Sequence, residues 1–403
     1  MMPGLERLLS IRDEVVHAVA PVQAEDVPLA AILGRYLAAD ALARVQSPPH
    51  TCSAMDGYAV LAAEVAAPCE LRVVTTIYAG DVPGMSLARG EAARIFTGAT
   101  LPDGADAVVR EESTRPAGER VRFLEAARPG ENVRRAGEDV AQGALALAAG
   151  TRIGARQAAL LGAVGVASAS VRRQPRVAIV STGDEVVSGR TPDSNGAALE
   201  GLLGAIGAVP DRRAVGDRLE EVAAALSSAL ASADAVLTVG GVSVGERDHV
   251  PAALARLGAD VRVHGVPMKP GKPFLFALAG GKPVFGLPGS PSACLVAFEV
   301  FARPALLALC GASRRERTAF PVRLAEPADG RPGRARLLWA RIEPGGLARP
   351  VGRDAAQVRG PALADALLLV PAGTGALAAG AELTAWLLED DAPPAAALRP
   401  PRT

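Results

Sequence analysis

Three short loops in the middle of the chain bring glycine together with carboxylates and hydroxyls. In "STGDEVVSG" (181–189), Gly183 permits a sharp turn and close approach of the backbone to a ligand. Asp184 and Glu185 follow it, placed either to hold a divalent cation or to cap the next segment of a polar turn. In "VGGVSVGERDHV" (239–250), Gly240, Gly241 and Gly245 suit a nest of N–H groups for phosphate oxygens. Ser243 adds a hydroxyl there, and Glu246 and Asp248 add acid; a Gly-rich packing turn is the alternative. Neither a Walker loop nor G-x-G-x-x-G is present in this stretch. In "FGLPGSPSACLV" (285–296), Pro288 and Gly289 lead to Ser290 or Ser292 as a helix cap, with Pro291 in the first turn. Such a helix start is an anion site or simply a well-capped helix.

Next to the third loop lies "KPGKP" (269–273). All the lysines of the chain, Lys269, Lys272 and Lys282, fall within residues 266–283, whereas every other base among the 43 is arginine. Lysine presents a compact, mobile charge where arginine presents a fixed fork, so Lys269 and Lys272 suit phosphate or another oxyanion. Lys282, in a Gly-Gly-Lys turn between two strands, reads as an ordinary surface residue.

A second group of candidates lies earlier in the chain. Asp56 precedes Gly57 in "TCSAMDGYAV", Thr97 precedes Gly98 in "FTGATLPDGADAVVREE", and "ENVRRAGEDV" joins Arg134 and Arg135 to Glu138 and Asp139. Each loop alone reads as a solvated turn; their concentration in one region is what marks them.

The elements that must position these loops follow from periodicity. Residues 5–19 have apolar residues at helical spacing, and "VPLAAILGRYLAADALA" reads as helix and connector. From 60 to 145, short β-like runs such as "LRVVTTIYAG" and "RVRFLE" alternate with Gly, Pro and Asp turns. Residues 152–170 read as a helix leading into a strand. From 174 to 310, buried-type strands alternate with helices, which implies a parallel doubly wound sheet. In such sheets ligands bind beyond the carboxyl ends of the strands, where all three central loops fall. From 318 onward "ARLLWARIEP", "ALLLVPAG" and "ELTAWLLE" indicate a separate small β domain with a Pro-rich tail.

Length and composition bound the function. The chain has 403 residues, 49% of them hydrophobic but only 3% aromatic, so Ala, Val and Leu must build several cores. Acids and bases balance at 43 each, which argues against a nucleic-acid binder working through a basic field. The four cysteines have no C-x-x-C spacing, and neither a signal pattern nor an uninterrupted apolar span is seen. A soluble, cytoplasmic protein with no membrane or nucleic-acid partner is the expectation.

Taken in order, "SAMDGYA" (53–59), "IFTGATLPDGADAVV" (95–109), "NVRRAGED" (132–139), "VAIVSTGDE" (177–185), "VGGVSVGERD" (239–248), "KPGKP" (269–273) and "VFGLPGSPSA" (284–293) resemble the molybdopterin molybdenumtransferase family, MoeA and the gephyrin E domain. The resemblance covers roughly the first three quarters of the chain. It implies four domains: a discontinuous helical and linker domain (1–45 plus 143–173), a β-rich domain (46–142), a molybdopterin-binding α/β domain (174–317) and a C-terminal β domain (318–403). It implies insertion of molybdate into adenylylated molybdopterin with release of AMP, dependent on magnesium. Glu185, Asp217 and Asp248 would position the metal, and Lys269 and Lys272 would neutralise anionic charge. It further implies a homodimer in which Asp56, Thr97 and Asp139 come from the partner subunit. A molybdopterin adenylyltransferase and molybdoenzymes that accept the cofactor are the implied further partners. Two departures stand out: Ser290 replaces the asparagine usual in the family, and the C-terminal segment keeps only Arg334 and Arg341 of a recognisable pattern. A molybdopterin adenylyltransferase and a non-catalytic scaffold of the same fold are the competing functions. The acid set with "SAMDGYA" and "GED" favours the transferase over both.

Overall fold

A computed structural model describes residues 3–388 except 244, 247, 331, 332, 353 and 354. The N-terminal helix α1 (Pro3–His17) buries Leu8 and Val15 against the central domain. The stretch after it is not the helix its composition suggested: only Leu29–Ala31 forms a short 3-10 turn, between extended segments. Ala24–Pro28 pairs antiparallel with Ser168–Arg172, and Ala41–Leu42 pairs with Leu145–Leu147. Residues on either side of the β-rich insert therefore share one small core with helix α2 (Ala155–Ala163). Tertiary pairing overrides the helical propensity of the Ala- and Leu-rich run.

The β-rich region forms a six-stranded sheet in the order Ala107–Arg110, Gly57–Val60, Glu91–Ile95, Cys69–Ile77, Arg120–Phe123, Thr114–Ala117. Gly57 is required by packing: a Cβ there would lie 2.0 Å from the Val109 carbonyl oxygen. That close approach fixes the strand that begins immediately after Asp56.

The central domain holds the loops of interest. Its strands are β1 (Arg176–Thr182), β2 (Val209–Val215), β3 (Ala235–Val239), β4 (Asp260–His264), β5 (Leu275–Ala279) and β6 (Lys282–Leu287), in the spatial order β2-β1-β3-β6-β5-β4. The first four in that order run parallel, and β5 runs antiparallel to both its neighbours, β6 and β4, so the sheet is mixed rather than wholly parallel. A two-residue turn makes the antiparallel edge possible. Gly280 and Gly281 have φ of 57° and 78°, the pair of positive values a tight hairpin needs.

Helices α3 (Asp184–Val187), α4 (Ser194–Ala205), α5 (Leu219–Ser232) and α6 (Val250–Arg256) connect the strands. Helix α4 covers one face through Leu199 and Leu203, and α5 covers the other through Val222 and Leu226. Along β1, Val177 and Ile179 join the first core while Ala178 and Val180 join the second. Burial on both faces explains why this strand reads as an unbroken apolar run. Because β2 and β3 lie on opposite sides of β1, the chain order switches there, and the two following loops splay apart to leave a crevice.

After β6, a 19-residue helical run, Pro291–Leu309, passes through the core. It comprises α7 (Pro291–Ala297), a π turn at Phe298–Ala302 and α8 (Arg303–Leu309). The wide turn precedes Pro304, whose ring and missing N–H an unbroken α-helix would not tolerate. This run is long and apolar enough to cross a membrane, but 94% of its 18-residue apolar window is buried inside the protein, which marks a core helix. Within it, Glu299 is held by Arg317 through two hydrogen bonds of 2.9 and 3.1 Å, and Arg303 approaches to 3.9 Å.

The C-terminal strands close into a barrel. Ala335–Glu343 pairs with Leu347–Pro350, then Ala319–Leu324, Glu382–Leu387 and Ala366–Val370 follow, and the last pairs back to Ala335–Glu343. Closure removes the exposed edges. Leu338, Ala340 and Leu368 fill the barrel, while the alternate residues Leu337, Trp339, Leu367 and Leu369 enter the main core with α1 and the α7–α8 run. Far from standing apart, the barrel shares the core of the α/β domain. Met268–Lys269 even adds to it as a strand, with Lys269 opposite Arg336.

Candidate active site

Where β1 and β3 end, a cavity of about 340 Å³ opens at the reversal of strand order. It is lined by Gly183, Glu185, Asp217, Gly240, Gly241, Asp248, Gly289 and Pro291 among the residues singled out from sequence. Four loops thus converge, as the doubly wound topology requires.

Each acid is placed by its backbone. Gly183 has φ +147°, and a Cβ there would sit 2.8 Å from the Glu185 carboxylate, so the glycine lets that side chain fold back over the strand end. Asp184 and Asp217 lock two loops reciprocally. The Asp217 amide donates to Asp184 Oδ1 at 3.1 Å, and the Asp184 amide donates to Asp217 Oδ2 at 3.3 Å. Asp184 therefore acts as a brace between the loops after β1 and β2. Asp248 Oδ2 accepts from the Gly245 amide at 2.8 Å, tying the third loop into a turn.

The anion-cradle expectation changes in detail. The Gly240 amide donates to the Leu287 carbonyl and the Gly245 amide to Asp248, so these two groups are engaged within the protein. Ser243, Gly245 and Glu246 do not line the cavity. The helix at Ser290 is also differently arranged. Ser290 occupies the N-cap position but its side chain makes no capping bond. Pro291 has no N–H, and the Ser292 amide donates to the Ala355 carbonyl of the barrel. Ser292 is buried and its hydroxyl accepts from the Trp339 indole at 2.8 Å. Thus neither serine caps the helix through its side chain; the start of this helix is an anchor for the barrel. Ser290 and the buried Pro288 do not line the cavity either.

Lys269 and Lys272 are both exposed and lie outside the lining of the cleft. Lys269 borders a small crevice with Pro270, Ser292, Arg336 and Trp339 at the barrel seam. Lys282 is not an ordinary surface residue: its Nζ donates to the Leu230 carbonyl at 2.6 Å, near the end of α5.

Several lining residues were not singled out from sequence. Ser181 donates to Asp193 Oδ2 at 2.9 Å, and Asp193 Oδ1 accepts from the Gly196 amide at 2.8 Å, capping α4. Asn195, nearly buried, donates to the Gly289 carbonyl at 2.7 Å. The signal was present in "PDSNG", an Asp three residues before a helical glycine, which is an N-cap pattern at the mouth of the same crevice.

The remaining candidates assemble on the β-rich sheet. Asp56 Oδ1 accepts from both the Thr97 amide and the Thr97 hydroxyl, each at 2.7 Å. Those two bonds hold the Asp56 carboxyl below the usual carboxylate range. Cys52–Ser53 pairs with Val133–Arg134, which brings "NVRRAGED" beside "SAMDGYA". There Arg134 pairs with Glu138 at 2.9 Å, and exposed Asp139 follows in the chain, its amide held by the Ser47 carbonyl. Asp56, Thr97 and Asp139 do not line the cleft of their own chain.

A doubly wound domain with this cleft, carrying acids, hydroxyls and glycine at the switch of strand order, defines a small-ligand-binding α/β protein. Three family models match along the chain: the MoeA N-terminal region (domain I and II) at residues 6–165, a probable molybdopterin binding domain at 178–308, and the MoeA C-terminal region (domain IV) at 321–388. A molybdopterin molybdenumtransferase of Bacillus subtilis is 34% identical over 94% of both chains. One from Nostoc is 41% identical over 72% of this chain and 70% of its own. The crystal structure of the molybdopterin biosynthesis MoeA protein from Pyrococcus horikoshii OT3 superposes with a TM-score of 0.82 at 26% identity, covering 96% of this chain and all of that one. The chain belongs to the molybdopterin molybdenumtransferase (MoeA) family.

Proposed function

We propose that this protein inserts molybdate into adenylylated molybdopterin and releases AMP, the final step of molybdenum cofactor synthesis. The observation that carries the reading is the single cleft in which Glu185, Asp217 and Asp248 from three strand ends face a glycine-lined floor. A phosphoanhydride substrate needs such a mixture: small residues where phosphates approach the backbone, and acids where a cation must balance them.

Magnesium is the cation we assign. Among the described residues no three His, Cys, Asp or Glu side chains converge as a ready-made metal cage. The donors are nevertheless hard carboxylate oxygens, and Mg²⁺ is commonly held by one or two carboxylates with substrate phosphates completing its shell. Glu185, Asp217 and Asp248 would hold it, and it would polarise the phosphoryl group for cleavage. The protein's own part is positional. The Asp184–Asp217 brace fixes the spacing of two loops, and the Asp248–Gly245 turn fixes the third.

We assign Asp56, Thr97 and Asp139 to the neighbouring cleft of a homodimer, near substrate or molybdate. In support, Asp56 and Thr97 are joined by hydrogen bonds, all three residues are exposed, and none of them lines the cleft of its own chain. We place the reaction in the cytoplasm, in keeping with four cysteines that are all free thiols. A molybdopterin adenylyltransferase supplying substrate and molybdoenzymes accepting product are the partners this reading entails.

The test is an assay of AMP release from adenylylated molybdopterin by purified protein with magnesium. Release that requires molybdate is expected. Unchanged AMP release and cofactor yield in Glu185→Gln would contradict the site.

A further inference from the structure

The exposed pair Asp56–Thr97 is one point on a closed circuit of contacts. The Glu111 amide donates to the Asp56 carbonyl at 3.1 Å. The Glu111 carboxylate accepts from the Arg94 guanidinium at 3.0 Å. That guanidinium lies over the Phe96 ring, 5.3 Å from its centroid. Phe96 is bonded to Thr97, whose amide and hydroxyl both return to Asp56 Oδ1. Tyr78 steadies the same ring, stacked on it with centroids 5.0 Å apart and planes 9° from parallel. Tyr78 is itself set by a small turn. Its amide donates to Asp81 Oδ2 at 2.9 Å, and the Asp81 amide donates back to the Tyr78 carbonyl at 3.0 Å.

Stability is a weak reason for this circuit. Tyr78 is 58% exposed, and the Arg94 and Glu111 side chains are 42% and 50% exposed. An ion pair and a cation–π contact this open to water contribute little. Among the described residues, Tyr78 and Phe96 join neither core of the β-rich sheet. The circuit orients instead. Both Thr97 donors fall on Oδ1 of Asp56, and among the described residues Oδ2 has no partner. One oxygen is anchored and the other is presented. Arginine suits the junction because its planar group pairs at its edge and stacks on its face at once. Its charge also adds to the effect of the Thr97 amide and hydroxyl, the main causes that hold the Asp56 carboxyl low.

We infer that Arg94 is a positioning residue: by bridging Glu111 and Phe96 it fixes the Phe96–Thr97 segment, so that Asp56 keeps one oxygen on Thr97 and turns the other to the reacting ligand. The inference rests on the function proposed above, which gives Asp56 its part in the reaction. The circuit itself is readable without turnover.

Two variants break the circuit differently. Arg94→Gln removes the bridge and its charge, whereas Phe96→Leu removes the ring and keeps every charge. In the parent, the Thr97 amide resonance followed by ¹⁵N NMR should shift as Asp56 titrates, because that amide donates to the carboxylate. Both variants should lose most of this shift while the rest of the spectrum stays dispersed, which shows that they are folded. In the AMP-release assay, Arg94→Gln should lower kcat by at least about tenfold with little change in KM, as expected when a reacting group is misplaced. An undiminished Thr97 shift in Arg94→Gln overturns the inference. So does a loss there with the shift intact in Phe96→Leu, since Arg94 would then act by charge alone. Unchanged kcat in Arg94→Gln, with parental turnover present, overturns it as well. A parent that shows no molybdate-dependent AMP release refutes the proposed function, and the NMR result still decides whether Arg94 holds the Asp56–Thr97 bond.

Discussion

Asp248 lies in a concave cleft at the end of parallel strands, whereas Asp56 lies exposed in the loop that leads into an interior strand of the mixed β-rich sheet. The first is placed by topology: any chain wound in the order β2-β1-β3 must leave a crevice there. The second is placed by local bonds, two from Thr97 and a glycine whose missing Cβ lets the neighbouring strand close in. A cleft with acids can bind a charged substrate alone. An exposed Asp–Thr pair does not by itself exclude water or surround a ligand. On the homodimer reading proposed above, the two are halves of one site, joined across subunits.

That comparison can be broken at either half. Asp248→Asn in the cleft and Asp56→Asn on the sheet should each lower molybdate-dependent AMP release by at least about a hundredfold in steady-state assays. Loss in only one of them would leave the other a structural residue. The next effect is on stability. Glu299→Ala removes the partner of Arg317 inside the core, and calorimetry should show a loss of about 3–5 kcal/mol. No comparable cost is expected for Asp56→Asn, whose carboxylate is exposed.

A smaller effect sharpens the account of the exposed half. Donors from Thr97 depress the folded pKa of Asp56, so their contribution is present above the unfolded value and is lost as pH falls through the folded one. Thr97→Val removes the hydroxyl but keeps the amide, so NMR titration should find the Asp56 pKa higher than in the parent, with the amide's share remaining. The smallest effect concerns the lysine that left the functional set. Lys282→Ala frees the Leu230 carbonyl near the end of α5 and should cost about 1 kcal/mol in denaturant unfolding, with turnover unchanged.

Much of the central domain was legible because its signals are local. "VAIVSTGDE" encodes a doubly buried strand and its glycine turn, and "GGKPV" encodes the hairpin that follows β5. The Asp56–Thr97 pair was legible only as two separate turns; what joins them is pairing across 41 residues, which no local pattern records. The barrel was legible as strands but not as a wall. Its alternation places Leu337 and Trp339 outward into a core supplied by α1 and α7–α8, and only the folded chain shows where that outer face goes. The run at 27–43 misled because alanine and leucine favour helix, while the strand partners at 145–172 lie more than a hundred residues away. The lysines misled differently. Their clustering is real, but Lys269 was drawn to the barrel seam by β pairing with Arg336, and Lys282 was drawn to a helix end.

The most direct test of a site shared between subunits mixes two inactive chains. Purified Asp248→Asn and Asp56→Asn proteins are unfolded together, refolded and assayed for molybdate-dependent AMP release. In a homodimer with cleft and cluster supplied in trans, each mixed dimer has one intact site and one doubly defective site, so random pairing restores about a quarter of parental activity. If each chain builds its own site, or works as a monomer, every site in the mixture carries a defect and activity stays at the level of the separate variants.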